Sequence, residues 1–512
     1  MNSTSKPLTA AISSLCLGAA LHAAPALAAG AETAITIYSS AQPGAISPEF
    51  YRPVPGQGVP NAMQVPGYAL VRDDRDIKIA QGRGQLSFTD VAAMIDPTTV
   101  TFTSLSDPST RVLEQNFQFD LVSTQKLLQK FIDRQITVDK PNGNSIVPIT
   151  GTLLSATDGI VLKDKDGSIY SLPSYTSVKF PDLPGGLNTK PTLVWDIQSA
   201  TGGTQKTRVT YQTGGVTWWA DYNIIFNEGA DANSGLLDLA AWVSIINQSG
   251  ATFSDAKLKL VAGDVQRVQP PQPQFRREVM EMAAAAPADA AGFQQKDFFE
   301  FHLYTLGRKT TLPNNSTKQI ELFDQAKQIP AKKILLFYGA PQPYFYPSPA
   351  MDRDLGVQTN TKVDVYLEFK NDKQFGLGVP LPAGRLRVSK LDSADGSLEF
   401  IGEDKIDHTP KDEQVRVKLG SAFDVVGERR QTNFSVDTNA KWMEEEFEIK
   451  LRNHKSQPVD VVVKENLYRW SNWKILTKSH NFVKEDARTI NFPVRVEKDG
   501  QTIVKYRVRY TW

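Results

Sequence analysis

Alternation of apolar and polar residues recurs along this 512-residue chain and limits what it can fold into. Val363, Val365, Leu367 and Phe369 alternate with Lys362, Asp364, Tyr366 and Glu368. Val415, Val417 and Leu419 do the same among Gln414, Arg416 and Lys418, as do Phe447, Ile449 and Leu451 among Glu446, Glu448 and Lys450. Period two with one polar face describes the half-buried antiparallel strand. Asp-Gly pairs at Asp158-Gly159, Asp166-Gly167, Asp395-Gly396 and Asp499-Gly500 punctuate such runs and read as hairpin turns that need positive φ. The expected fold class is a mainly β, multi-domain antiparallel protein.

One helix interrupts the pattern. Leu121, Leu127, Leu128, Phe131 and Ile132 fall near helical spacing. Short strands are expected after it near Ile136–Val138, Ile146–Leu154, Ile160–Leu162, Ile169–Leu172 and Thr176–Phe180. A helix followed by five tightly turned strands outlines a small SH3-like or Sm-like barrel. The expected organisation is an N-terminal β segment over 29–118, the helix plus small barrel over 119–182, a central β domain over 190–345, and a C-terminal immunoglobulin-like sandwich over 350–512. Within the central domain, 266–295 carries Pro270, Pro271, Pro273 and the run Ala283–Ala286 without apolar periodicity, and reads as a mobile insertion.

The first 28 residues read as an export signal. Lys6 is the only charge before Glu32, an apolar stretch follows, and Ala26-Leu27-Ala28 is an A-x-A cleavage site. Cleavage near Ala28 would remove Lys6 and the single cysteine, Cys16, from a chain with 57 Lys+Arg and 56 Asp+Glu. The mature chain would be neutral, with no disulfide and no cysteine nucleophile. A neutral balance gives no footprint for nucleic acid. No later apolar run is long enough for a membrane helix, so no integral membrane segment is expected in the mature chain. The expected location is periplasmic or extracellular.

Several chemistries lack their residues. His302, His408, His454 and His480 are isolated, with no paired spacing for zinc. No G-x-S-x-G elbow, P-loop or dinucleotide fingerprint occurs, and three S-x-x-K matches stand without a K-T-G. No metal and no cofactor is expected.

The middle of the chain carries a resemblance. Its blocks are Gly215-Val216-Thr217-Trp218-Trp219-Ala220-Asp221-Tyr222-Asn223, Ala241-Trp242-Val243-Ser244-Ile245-Ile246-Asn247 and Ala256-Lys257-Leu258-Lys259-Leu260-Val261. Together with Glu114-Gln115-Asn116-Phe117, Gly378-Val379-Pro380-Leu381-Pro382-Ala383-Gly384 and the closing Tyr506-Arg507-Val508-Arg509-Tyr510, the chain resembles the bacterial extracytoplasmic domain-of-unknown-function family of mucoidy-inhibitor-like proteins. Those relatives often carry a long coiled coil that this chain lacks. The resemblance implies fold and compartment, and it transfers no catalytic residues.

Candidate site residues fall into two groups. Trp218 and Trp219 point to opposite faces of one strand, and Trp470 and Trp473 lie in a turn-like stretch. Exposed rings would stack on a sugar or peptide, although packing is the commoner role of large aromatics. Asp221, Asp264, Glu403 and Asp404 are the carboxylates a glycan or peptide hydrolase would use, and hairpin-end polarity explains them equally. Tyr506, Val508, Tyr510 and Trp512 alternate with Lys505, Arg507, Arg509 and Thr511, and a last strand ending on an aromatic also resembles that of an outer-membrane β-barrel. The expectation is a non-catalytic binding or scaffold protein of the cell envelope, with an envelope protein or glycan as partner. A carboxylate-dependent hydrolase is the first alternative and an outer-membrane barrel the second.

Overall fold

The computed structural model describes residues 31–38, 44, 46–51, 62–118, 122–142, 145–185, 187–229, 231, 233–263, 265, 293–298, 301–339, 346–355, 360–392 and 394–512. The segment 1–28, Asp264 and residues 266–292 lie outside the described residues, while Phe293–Phe298 is a strand. The molecule is mainly β, built of several predominantly antiparallel sheets, with one α-helix, Thr124–Lys130, among the described residues. No helix among them is long and apolar enough to cross a membrane.

The helix starts at Ser123, whose side chain accepts a hydrogen bond from the Lys126 amide. Its Leu128, with Phe131, packs on a five-stranded sheet ordered Ser177–Lys179, Gln135–Asn142, Ser145–Ser155, Ile160–Lys163, Ile169–Leu172. Ile136, Val138, Leu153, Ile160, Leu162 and Leu172 close this small core. At the Asp158-Gly159 turn Gly159 has φ +90°, and a Cβ there would meet the Leu172 carbonyl oxygen at 2.5 Å. Asp499-Gly500 is different, because the positive φ falls on Asp499.

Strands from distant parts of the chain share sheets, so the segments 29–118, 190–345 and 350–512 are not separate sheets. Glu32–Tyr38 lies between Tyr68–Ile79, antiparallel, and Phe253–Ala262, parallel. Gly203–Thr213 pairs with both Tyr68–Ile79 and Ile95–Ser104. Val216–Glu228 forms a hairpin with Ser234–Asn247 and pairs in parallel with Gly384–Leu391. The 23-residue strand Ser316–Tyr338 pairs with Ser234–Asn247 along most of its length and with Lys362–Lys370 from Ala331 onward. One large core accordingly joins Ile35, Trp195, Trp218, Leu386 and Val417.

The C-terminal strands almost close a ring. From Trp473–Lys478 the hydrogen-bonded order runs through Gly500–Thr511, Trp442–Asn453, Gln414–Asp437, Lys362–Lys370, Ser316–Tyr338, Val459–Asn466 and Thr489–Val496 to Val483–Lys484. Among the described residues no ladder joins the last strand to the first. Val504, Tyr506, Val508 and Tyr510 face the apolar interior, and the intervening Arg507 and Arg509 pair with Glu444 while Lys505 pairs with Glu448. Two ion pairs stand inside. Arg429 meets Glu465 at 2.9 Å and Arg469 meets Glu445 at 2.7 Å, and these side chains have almost no exposed surface.

Candidate functional site

The unclosed seam of the ring is a cleft of about 710 Å³ between Trp473–Lys478 and the chain from Phe482 to Ala487. Its position follows from local chemistry. Arg469 is buried and donates to the carbonyls of Ala350, Asp352 and Leu355 at 2.7, 2.6 and 3.1 Å, which fixes the turn into Trp470. Asn472 then donates to Thr511 Oγ1 at 2.6 Å and accepts the Thr511 amide at 3.1 Å, setting the register beside Gly500–Thr511. The register shifts between Ile475 and Thr477, so Leu476 sits in a bulge. Ser479 ends the pairing by donating its amide to Lys505 O at 2.8 Å.

The floor is aromatic. The Trp473 indole donates to Ala487 O at 2.9 Å, bridging the seam with a side chain. Phe482 stands edge-on to the buried Phe492, ring centroids 5.8 Å apart. The walls are cationic. Lys484 Nζ lies 5.1 Å from the Trp473 ring centroid and Lys478 Nζ lies 4.8 Å from that of Phe482. Lys474 completes the set, and among the described residues none of the three lysines forms an ion pair. Among the described residues no acid lines the cleft. Glu485 is held by Lys464 at 2.7 Å, and that bond keeps its carboxyl below its usual range. Asp486 accepts the Arg488 amide at 2.7 Å, which lowers it likewise. Unpaired ammonium groups over ring faces can receive an anionic ligand whose apolar parts rest on the rings.

The other sequence candidates have structural engagements. Trp218 is buried in the large core, edge-on to Tyr304. Trp219, on the opposite face, is buried in a separate cluster with Ile46, Val65 and Ile246, near the Tyr51 ring. Neither offers a ring face to a ligand, because both strand faces at this point are covered. Trp470 is half-buried against the C-terminal core.

Asp221 is buried and accepts from Trp219 Nε1 at 2.7 Å and Ser244 Oγ at 2.8 Å. Arg385 and Arg387 approach its other oxygen at 3.4 and 3.3 Å, and Arg387 also reaches Glu403 at 3.6 Å. The fold thus joins two of the candidate acids through one arginine. Asp404 accepts the amides of Lys405 and Lys418 at 2.8 and 2.7 Å, which ties two strands together. Among the described residues no group of three or more His, Cys, Asp or Glu is arranged to hold a metal.

Sequence reasoning found Trp473 and missed Lys474, Lys478, Phe482 and Lys484. A signal was present: from Asn466 to Lys484 the chain has no acid, whereas Glu465 and Glu485 bound it on either side. Comparison with protein families and with curated proteins finds no match.

Proposed function

We propose that this is an exported cell-envelope protein that binds an anionic ligand in the Trp473 cleft and does no chemistry on it. The observation that carries the reading is the seam itself: among the described residues its lining holds three lysines without ion pairs, two of them over aromatic rings, and no acid. The hydrolase alternative needs two carboxylates available across a cleft. Asp221 is occupied by an indole, a hydroxyl and two guanidinium groups, and Asp404 by two amides. The outer-membrane alternative needs apolar side chains facing lipid. In Gly500–Thr511 the Val and Tyr side chains are buried inside and the opposite face carries ion-paired Arg507 and Arg509. The export signal and the resemblance to the mucoidy-inhibitor-like family support the compartment. An immunoglobulin-like description of the C-terminal unit is part of this reading, since such modules present ligand surfaces at their edges and ends.

The test is titration of the mature protein with polyanions of defined charge, followed by the part of the tryptophan fluorescence change that Trp473→Phe removes from this chain of eight tryptophans. Binding that falls with salt and is lost in K474E/K478E/K484E is expected. Turnover of an envelope glycan or peptide that disappears in Asp221→Asn or Glu403→Gln would sink the proposal.

A further inference from the structure

Resting on the binding role of this cleft, we infer that its occupant is an extended acidic polypeptide segment that pairs with the open edge of Trp473–Lys478. Three observations converge on this occupant. The first is backbone. Among the described residues Trp473–Lys478 is paired on one side only, with Gly500–Thr511, and Val483–Lys484 only with Thr489–Val496. The remaining edge of the first strand lines the cleft. Its amides and carbonyls repeat at the ladder spacing that an added strand satisfies and a saccharide does not. Six residues at about 3.3 Å each give an edge of roughly 20 Å, matching a peptide of similar length.

The second is charge. Lys474, Lys478 and Lys484 stand around the edge without carboxylate partners among the described residues. Lysines on an edge strand repel a second basic edge, so two copies of this chain are poorly suited to pair here. The same charges attract a strand whose side chains include Asp or Glu. The third is relief. The half-buried rings of Trp473 and Phe482 each lie beside one ammonium group, so an occupant that mixes carboxylates with apolar side chains satisfies both at once. The Leu476 bulge interrupts the ladder within the strand, so the added segment pairs on either side of it rather than in one unbroken register.

The experiment uses the full mature protein and a fluorescein-labelled octapeptide of alternating Glu and Val. Three companion probes are the same peptide with Lys for Glu, the Glu peptide N-methylated at alternate residues, and polygalacturonate of matched charge. The acidic peptide should bind, and the Lys and N-methylated peptides should bind at least about tenfold more weakly. Amide hydrogen exchange should slow in Trp473–Lys478 when the acidic peptide is bound. K474E/K478E/K484E should reverse the preference toward the Lys peptide, which also shows that the variant is folded. The distant control K140E/K163E/K165E should bind as wild type. Equal affinity for the N-methylated peptide would overturn strand pairing. Binding of polygalacturonate without the peptide would overturn this inference and leave the anion-binding function standing. Failure of every polyanion to bind would overturn both.

Discussion

Arg469→Met should cut deeply into the stability of the C-terminal unit, and the reason can be worked from the contacts. Arg469 and Glu445 have no exposed side-chain surface and meet at 2.7 Å. The arginine's NH1 and NH2 groups are directed to backbone carbonyls of 350–355, so the pair is a contact of opposite charges and the guanidinium is also a peg for that segment. Removing it leaves a buried carboxylate whose one remaining hydrogen-bond donor among the described residues is the Gln431 amide, 2.9 Å away. Breaking one partner of a buried pair costs about 3–5 kcal/mol. The freed carbonyls belong to half-buried or exposed residues and can turn to water, so they add little. At about 2–4 °C per kcal/mol the transition should fall by roughly 6–20 °C in a scanning calorimeter. Burial already raises the Glu445 pKa and Arg469 opposes that rise. Without the arginine the carboxyl is raised further. Stability tied to such a raised acid is complete below its unfolded value of about 4.3 and is lost as pH rises through the folded value. The deficit of the variant should therefore be larger at pH 7 than at pH 5, and Glu445→Gln in the same chain should recover part of it. Arg430→Met, at a side chain 68 % exposed, is the control. A drop no larger than the control's, or a deficit independent of pH, would refute the reasoning.

Three other outcomes follow from the same structure. Gly427→Ala should destabilise by about 1–3 kcal/mol in urea unfolding, because its Cβ would stand 2.1 Å from the fully buried Phe337 ring. Asp74 is held below the usual carboxylate range chiefly by its hydrogen bond to Arg208, so its contribution is present above the unfolded value of about 3.9 and is lost as pH falls through the folded one; Asp74→Asn should lower stability at neutral pH and flatten the acid limb of the unfolding profile. Protein recovered from its native host should begin at Ala29 on N-terminal sequencing; a chain beginning at Met1 in the envelope fraction would contradict cleavage near Ala28.

What could be read in advance was the local pattern, because burial on one face writes itself into period two. The expected strands near Ile160 and Ile169 match Ile160–Lys163 and Ile169–Leu172, and the helix was legible in the spacing of Leu127, Leu128 and Phe131. Pairing was not legible in the same way. Alternation in Glu32–Tyr38 says which face is buried, and nothing in it names Phe253–Ala262 as the parallel neighbour. Ser316–Tyr338 hides its continuity, since Gln328 takes φ +56° two residues before Pro330 and the register shifts there, and such residues normally mark a strand's end. The buried charges were equally hidden. Glu445, Glu465, Arg429 and Arg469 look like surface residues until each finds its opposite inside the ring. At the site, Trp473 was visible as an aromatic in a turn, but its lysines come from both sides of a seam that only the fold brings together.

The seam also explains how the proposed binding edge can coexist with a covered apolar core. An unmade ladder in a ring of strands would ordinarily admit water to Phe492 and Tyr506. Here side chains close it, with Trp473 reaching Ala487 across the gap and Phe482 set edge-on against Phe492, which packs in turn on Tyr506. The apolar seal does not consume the backbone groups of Trp473–Lys478 on that side. The edge is therefore available to a partner while the core beneath stays covered, and binding there requires no strand of the ring to detach. The bulge at Leu476 and the neighbouring lysines restrict which strand can dock, because a neutral, regular edge loses both charge and register against them. Closure by side chains rather than by backbone is what leaves this edge available for recognition.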